Sequence, residues 1–254
     1  MKESEIVYNN IRTLCISFLS FMKKYTLLFS SLIAIALTTY FSLLPLGWVT
    51  QADISDLYFS KITPAGFTFS IWSLIYLSWL WLGIMQATWK EKGGKKALYL
   101  SCALALTVLW LVPWHFNFIG TSFLVMLLLL FVLAYLYNER KYSKYFQWTL
   151  ELFFGWIIVA TIANFHALLI AYDLYFFPVI FTVISLILWL WVNTQFIRKK
   201  DSYIPAFVYI WALIGIIISQ NNTFIQGTSS ISILILLALM AGKYQVHQKR
   251  KKKQ

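Results

Sequence analysis

Phe69, Trp72, Tyr76 and Trp79 follow one another at steps of three, four and three residues inside the apolar run TPAGFTFSIWSLIYLSWLWLG, which begins at Thr63. Those steps put all four rings on one stripe of a helix. Such a stripe usually packs against neighbouring helices. Its other use is to stack on a flat ligand, because aromatic rings offer a large apolar face and a polarised edge that favours offset stacking. A second series, Trp156, Ala160 and Asn164, keeps a strict four-residue step. On a helix it presents an indole, then space beside it, then an amide, all on one face. The amide can serve a ligand or glue two helices together, the latter worth about 1 kcal/mol in a membrane.

Other residues with chemical potential are sparse. His115 and His166 carry imidazole, a usual axial ligand of haem. Hydrogen bonding near a membrane interface accounts for both more simply, and no metal ligation is assigned to them. Glu151 is the one acid clearly inside an apolar stretch. About one turn from a helix end, it can snorkel, pair with Arg140 or Lys144, or relay a proton. Glycine-rich phosphate loops, Cys-x-x-Cys pairs and His-Glu-x-x-His helices are absent from the sequence, and no pair of acids or activated nucleophile supports an enzyme. Cys15 and Cys102 are too few for a disulfide framework, and none is expected.

The elements that must carry these residues belong in a bilayer. Hydrophobic residues make up 60% of the chain and charged ones 12%, whereas soluble domains carry about a quarter charged residues. The net charge of +12 does not point to nucleic acid: the Lys and Arg residues sit between apolar segments instead of gathering on one face of a folded core. Crossing a hydrocarbon core of about 30 Å takes about 20 apolar residues, and the expected architecture is an all-α integral membrane protein with about eight spans. They fall near 25–46, 67–88, 96–114, 120–137, 147–168, 172–193, 203–220 and 229–245.

Charge tests this count independently. Lys90, Lys92, Lys95 and Lys96 fall in the second loop, Arg140, Lys141 and Lys144 in the fourth, and Arg198, Lys199 and Lys200 in the sixth, while Lys61 alone lies in an odd loop. The positive-inside rule then puts both termini in the cytoplasm. Residues 1–24 are expected to form an amphipathic segment at the cytoplasmic surface, with Ile11, Leu14, Cys15, Phe18 and Met22 on one face. The stretch from Met22 has the basic-then-apolar form of a signal peptide and is an alternative start. No small-x-small cleavage site follows at the right distance, so the span is expected to be retained. Residues 246–254 form a basic cytoplasmic tail.

Three blocks carry a resemblance. Thr63-Pro64 followed by Trp72-x-x-x-Tyr76 resembles the proline-then-Trp-x-x-x-Tyr signature of the TspO/MBR family, the tryptophan-rich sensory proteins related to the translocator protein; Thr63 stands where the family has a second proline. Trp114-His-Phe-Asn-Phe118-Ile-Gly120 resembles the family's Trp-x-x-x-Phe-Phe-Gly, with Leu111 in place of an Asn often found three residues earlier. Trp156, Ala160 and Asn164 match its Trp-x-x-x-Ala-x-x-x-Asn, with Leu152 and Phe153 replacing the preceding Pro and Tyr. These blocks cover residues 25–168, which are expected to form the family's five-helix core; 169–245 are expected to add three further helices of unidentified task.

The resemblance implies a cavity between helices, covered by the first loop and lined by tryptophans that hold porphyrins, haem-like tetrapyrroles or sterols. Carried onto this sequence, the candidate ligand residues are Trp48, Pro64, Phe69, Trp72, Tyr76, Trp114, Phe118, Trp156, Ala160 and Asn164. The loop from Gly47 to Gly66 is long enough to act as a lid. The expected function is to bind, and to transport or sense, a flat hydrophobic molecule at the cell membrane. No cofactor is required, and porphyrin or haem is the candidate bound group. The expected partners are the bilayer and that small molecule, with a homodimer as a candidate assembly. A multi-helix solute permease, with Glu151, Asn193, Gln195 and Asn221 lining a path, is the alternative; an intramembrane enzyme acting on porphyrin or lipid is a third.

Overall fold

The computed structural model describes residues 2–44, 49–88, 94–139, 143–200 and 202–251, and every regular element among them is helical. In chain order these are α1 (Lys2–Leu43), α2 (Gln51–Leu57), a 3-10 turn (Gly66–Ser70) that runs into α3 (Ile71–Thr88), α4 (Gly94–His115), α5 (Ile119–Asn138), α6 (Lys144–Ala171), α7 (Pro178–Lys200), α8 (Ile204–Ser219) and α9 (Thr223–Lys251). Local chemistry sets several ends. The Ser143 hydroxyl accepts from Phe146 N at 3.3 Å and starts α6. Asn117 (φ 60°) and Asp173 (φ 54°) take the left-handed conformation that short polar side chains tolerate, closing α4 and α6.

Among the described residues, seven helices are long and apolar enough to cross a membrane. The eighth expected span is also a helix, but α8 has only 16 residues, about 24 Å at 1.5 Å per residue. It packs on α6, α7, α9 and the 3-10 turn and leaves Phe207, Ile214 and Ile218 exposed along its remaining face. The N-terminal segment is continuous with the first span: residues 2–43 form one unbroken helix of 42 residues. Lys23 and Lys24 look like a boundary in the sequence, yet lysine is a good helix former and nothing in the local chain stops the helix there.

Packing divides the helices into two sets. α1 lies against α3 and α4, α4 against α5, α5 against α6, and α6 against α3, which closes a circuit of five helices. α7, α8 and α9 pack on one another and join the circuit through α8 and α6. Gly155 permits that junction, since a Cβ there would sit 3.1 Å from Pro205 Cα and 3.3 Å from Val208 Cβ. Lys243 of α9 donates to the carbonyls of Ile197 and Arg198 at the end of α7, the pairing a helix C-terminus favours. One apolar cluster, from Leu27 of α1 to Met240 of α9, runs through both sets.

Candidate functional site

The stripe read from the sequence lies along the seam between α3 and α6. Trp72 stacks on Tyr76 at 5.6 Å and stands edge-on to Trp156 at 6.4 Å. Trp79 meets Phe153 edge-on at 4.8 Å and Tyr76 at 5.4 Å. Phe69, on the 3-10 turn, stands edge-on to Trp156 at 5.9 Å. Trp156 and Trp79 are fully buried, whereas Trp72 and Tyr76 are half-buried and Phe69 is partly open. Nε1 of Trp79 and Nε1 of Trp156 are buried without a hydrogen-bond partner.

A second group lies nearer the end of the circuit where α2 sits. Trp110 Nε1 donates to Asn164 Oδ1 at 3.1 Å, and Ser122 Oγ donates to the same oxygen at 3.4 Å. Asn164 Nδ2 donates to Ala160 O at 3.0 Å. Asn164, 4% exposed, thus joins α4, α5 and α6 from inside the circuit. Trp114 packs on Trp110 at 5.6 Å and donates through Nε1 to Gln51 O at 3.2 Å, holding α2 down. Thr50 and Asp53 cap α2 reciprocally.

The candidate residues therefore divide. Phe69, Trp72, Tyr76 and Trp156 come together; Trp114, Ala160 and Asn164 follow along the same interior. Pro64 is buried against Gly215 of α8, outside the aromatic cluster. Phe118, the residue just before α5, has 64% of its surface exposed and joins neither group. Trp48 lies outside the described residues. The expected lid is not a bare loop: it contains α2 and is fastened on both sides, to α4 by Trp114 and to α8 through residues 60–68.

The histidines are engaged by protein. His115 Nδ1 bonds Leu111 O at 2.8 Å, while its Nε2 is buried without a partner. His166 lies 3.0 Å from both the Tyr175 hydroxyl and Ser185 Oγ. Glu151 is buried and accepts from Gln147 at 2.8 Å. Of the permease candidates, Asn193 is buried on α7 and donates to Trp189 O of its own helix, Gln195 is half-buried and Asn221 is exposed.

Trp79, Phe153, Trp110 and Ser122 belong to this interior but were not among the candidates. Trp79 and Trp110 each have a sequence signal, as members of aromatic series at helical spacing. Ser122 has none, because only packing brings α5 to Asn164.

The model of a family described as TSPO-like protein matches residues 24–242. The match runs well past the five helices that carry the recognisable motifs and takes in α7, α8 and most of α9. The recognisable motifs mark the aromatic interior, while the match extends over helices that lack such signatures. Comparison with curated proteins and with solved structures finds no match.

Proposed function

We propose, from the premise that this chain belongs to the TSPO-like protein family, that it binds a flat hydrophobic molecule of the porphyrin or sterol class, in service of transport or sensing and not of catalysis. The observation that carries the reading is the pair of indole N–H groups, on Trp79 and Trp156, buried without acceptors in a cluster of six aromatic rings. A buried donor without a partner costs about 1–3 kcal/mol. A conjugated ring system bearing oxygen or nitrogen acceptors would stack on the rings and take up those donors. A tetrapyrrole supplies both features, and a sterol supplies a hydroxyl with less planarity. Such a molecule is a ligand in this reading, and no resident cofactor is required. The distribution of Lys and Arg supports both termini lying in the cytoplasm.

Titration of the purified protein with protoporphyrin, read by tryptophan fluorescence, tests the proposal. Saturable quenching is expected. Trp72→Phe and Trp156→Phe keep a ring but remove area and an indole, so affinity should fall about fivefold or more, equivalent to about 1 kcal/mol. Trp191→Phe, at a position 61% exposed on α7, should bind like the parent. Absence of saturable quenching, or folded Trp72 and Trp156 variants with parental affinity, would refute this site.

A further inference from the structure

The turn that carries Phe69 is held from its other side by α8. Trp211 Nε1 donates to Thr68 O at 2.9 Å, and Ser219 Oγ donates to Thr63 O at 2.7 Å. Gln220 Nε2 donates to Thr63 O at 3.1 Å and to Ser60 O at 3.3 Å. The backbones also meet, with Ala65 N donating to Gly215 O at 3.0 Å. Phe67 stands edge-on to the Trp211 ring at 5.4 Å. Gly215 makes this approach feasible: a Cβ there would lie 3.0 Å from Pro64 Cβ and 3.3 Å from Ala65 N, and would collide with the Thr68 side chain.

Apart from Lys61 N, which donates to the Tyr175 hydroxyl at 3.3 Å, and the Ser60–Thr63 side-chain contacts, residues 60–68 have few anchors other than α8. Their own backbone bonds are two tight-turn contacts, Thr63 N to Ser60 O and Thr68 N to Ala65 O, each 3.0 Å. Segments with few local bonds open at low free-energy cost unless another element holds them. Here the holding donors come from α8 and from Gln220, which caps its end, and the next residue along the chain is Phe69, which touches Trp156.

We infer that Trp211, Gly215 and Gln220 are positioning residues for the aromatic site: α8 clamps residues 60–68 and thereby sets where Phe69 stands against Trp156. The three helices beyond the circuit then serve the interior of the first five. The clamp rests on geometry alone, and its effect on a ligand rests on the porphyrin reading above.

Amide hydrogen exchange on the full-length protein in lipid nanodiscs tests the clamp. One variant combines Trp211→Phe with Gln220→Leu, which removes three donor contacts while keeping bulk. A second, Gly215→Ala, wedges the segment away with no loss of a donor. Both should speed exchange across residues 60–70 at least tenfold and leave α4 and α5 amides at parental rates, and protoporphyrin should dissociate at least fivefold faster from both. Unchanged exchange in folded variants, or acceleration spread equally over α3 to α6, would overturn the clamp. Local acceleration with unchanged dissociation would overturn its link to the site. A parent protein that binds no porphyrin would refute the ligand reading, and the exchange comparison would then decide the clamp by itself.

Discussion

Replacing Asn164 by alanine leaves the Trp110 indole N–H buried with no acceptor, since Asn164 Oδ1 is its partner at 3.1 Å and Trp110 is 5% exposed. An unmet buried donor costs about 1–3 kcal/mol. Interhelical hydrogen bonds in membranes average about 0.6 kcal/mol and reach about 1.7, because the unfolded chain in lipid also finds partners. The Ser122 contact, at 3.4 Å, is too long to add much. The expected loss for Asn164→Ala is therefore about 1–2 kcal/mol. Trp110→Phe removes the donor itself, so in that background the alanine substitution should cost less, by a coupling of about 0.6–1.5 kcal/mol. Reversible unfolding in mixed micelles, followed by helical circular dichroism for the parent, both single variants and the double variant, measures the coupling. A value below about 0.3 kcal/mol would show that the bond between α4 and α6 contributes nothing, and the assignment of Asn164 to holding the circuit would fall.

A reporter fused after Gln254 should read a cytoplasmic location, because lysine and arginine gather in alternate loops and both tails; an outside reading, with a second reporter placing the N-terminus in the cytoplasm, would require an odd number of crossings. The Asp53 carboxyl lies below its ordinary value of 3.8 because the Thr50 hydroxyl, then the Thr50 backbone N–H, donate to it against a smaller opposing effect of desolvation. Ionisation is thus favoured in the folded protein, so its support for the start of α2 is complete above that ordinary value and lost as pH falls through the lowered one. Exchange of the α2 amides should quicken over that acid range in the parent but show no such step in Asp53→Asn.

What the sequence revealed was whatever repeats locally. The aromatic stripe from Phe69 to Trp79 and the Trp156–Ala160–Asn164 series were visible because helical period alone puts those residues on a face, and both faces do turn into the seam and the circuit. Helix positions were legible for the same reason: the expected 96–114 and 120–137 correspond to Gly94–His115 and Ile119–Asn138. The contacts that fasten the interior were not. Trp211 reaches a carbonyl 143 residues away, and no periodicity in α8 announces which loop it will meet. Asn164 looked equally suited to ligand or neighbour until packing delivered Trp110 to its oxygen. Phe118 matched a motif position, yet its place just before α5 leaves it exposed.

The shortness of α8 changes how its end must be solvated. A helix of 16 residues, about 24 Å long, falls about 6 Å short of a typical hydrocarbon core, so if α8 crosses a bilayer, the chain at its ends must reach toward the edge of the hydrocarbon. Within the hydrocarbon each unmet backbone group costs several kcal/mol, and irregular chain survives only where protein supplies the partners. The amides around this turn fill that role. Gln226 Nε2 donates to Gln220 O at 2.7 Å and to Ile217 O at 3.1 Å, and Asn222 Oδ1 accepts from Phe224 N and Ile225 N. Gln220, through its donations to Ser60 and Thr63, does the same for the neighbouring connection. Glutamine and asparagine side chains here replace interfacial water, so exchanging them for apolar residues would make this flank more hydrophobic in composition and yet less compatible with lipid.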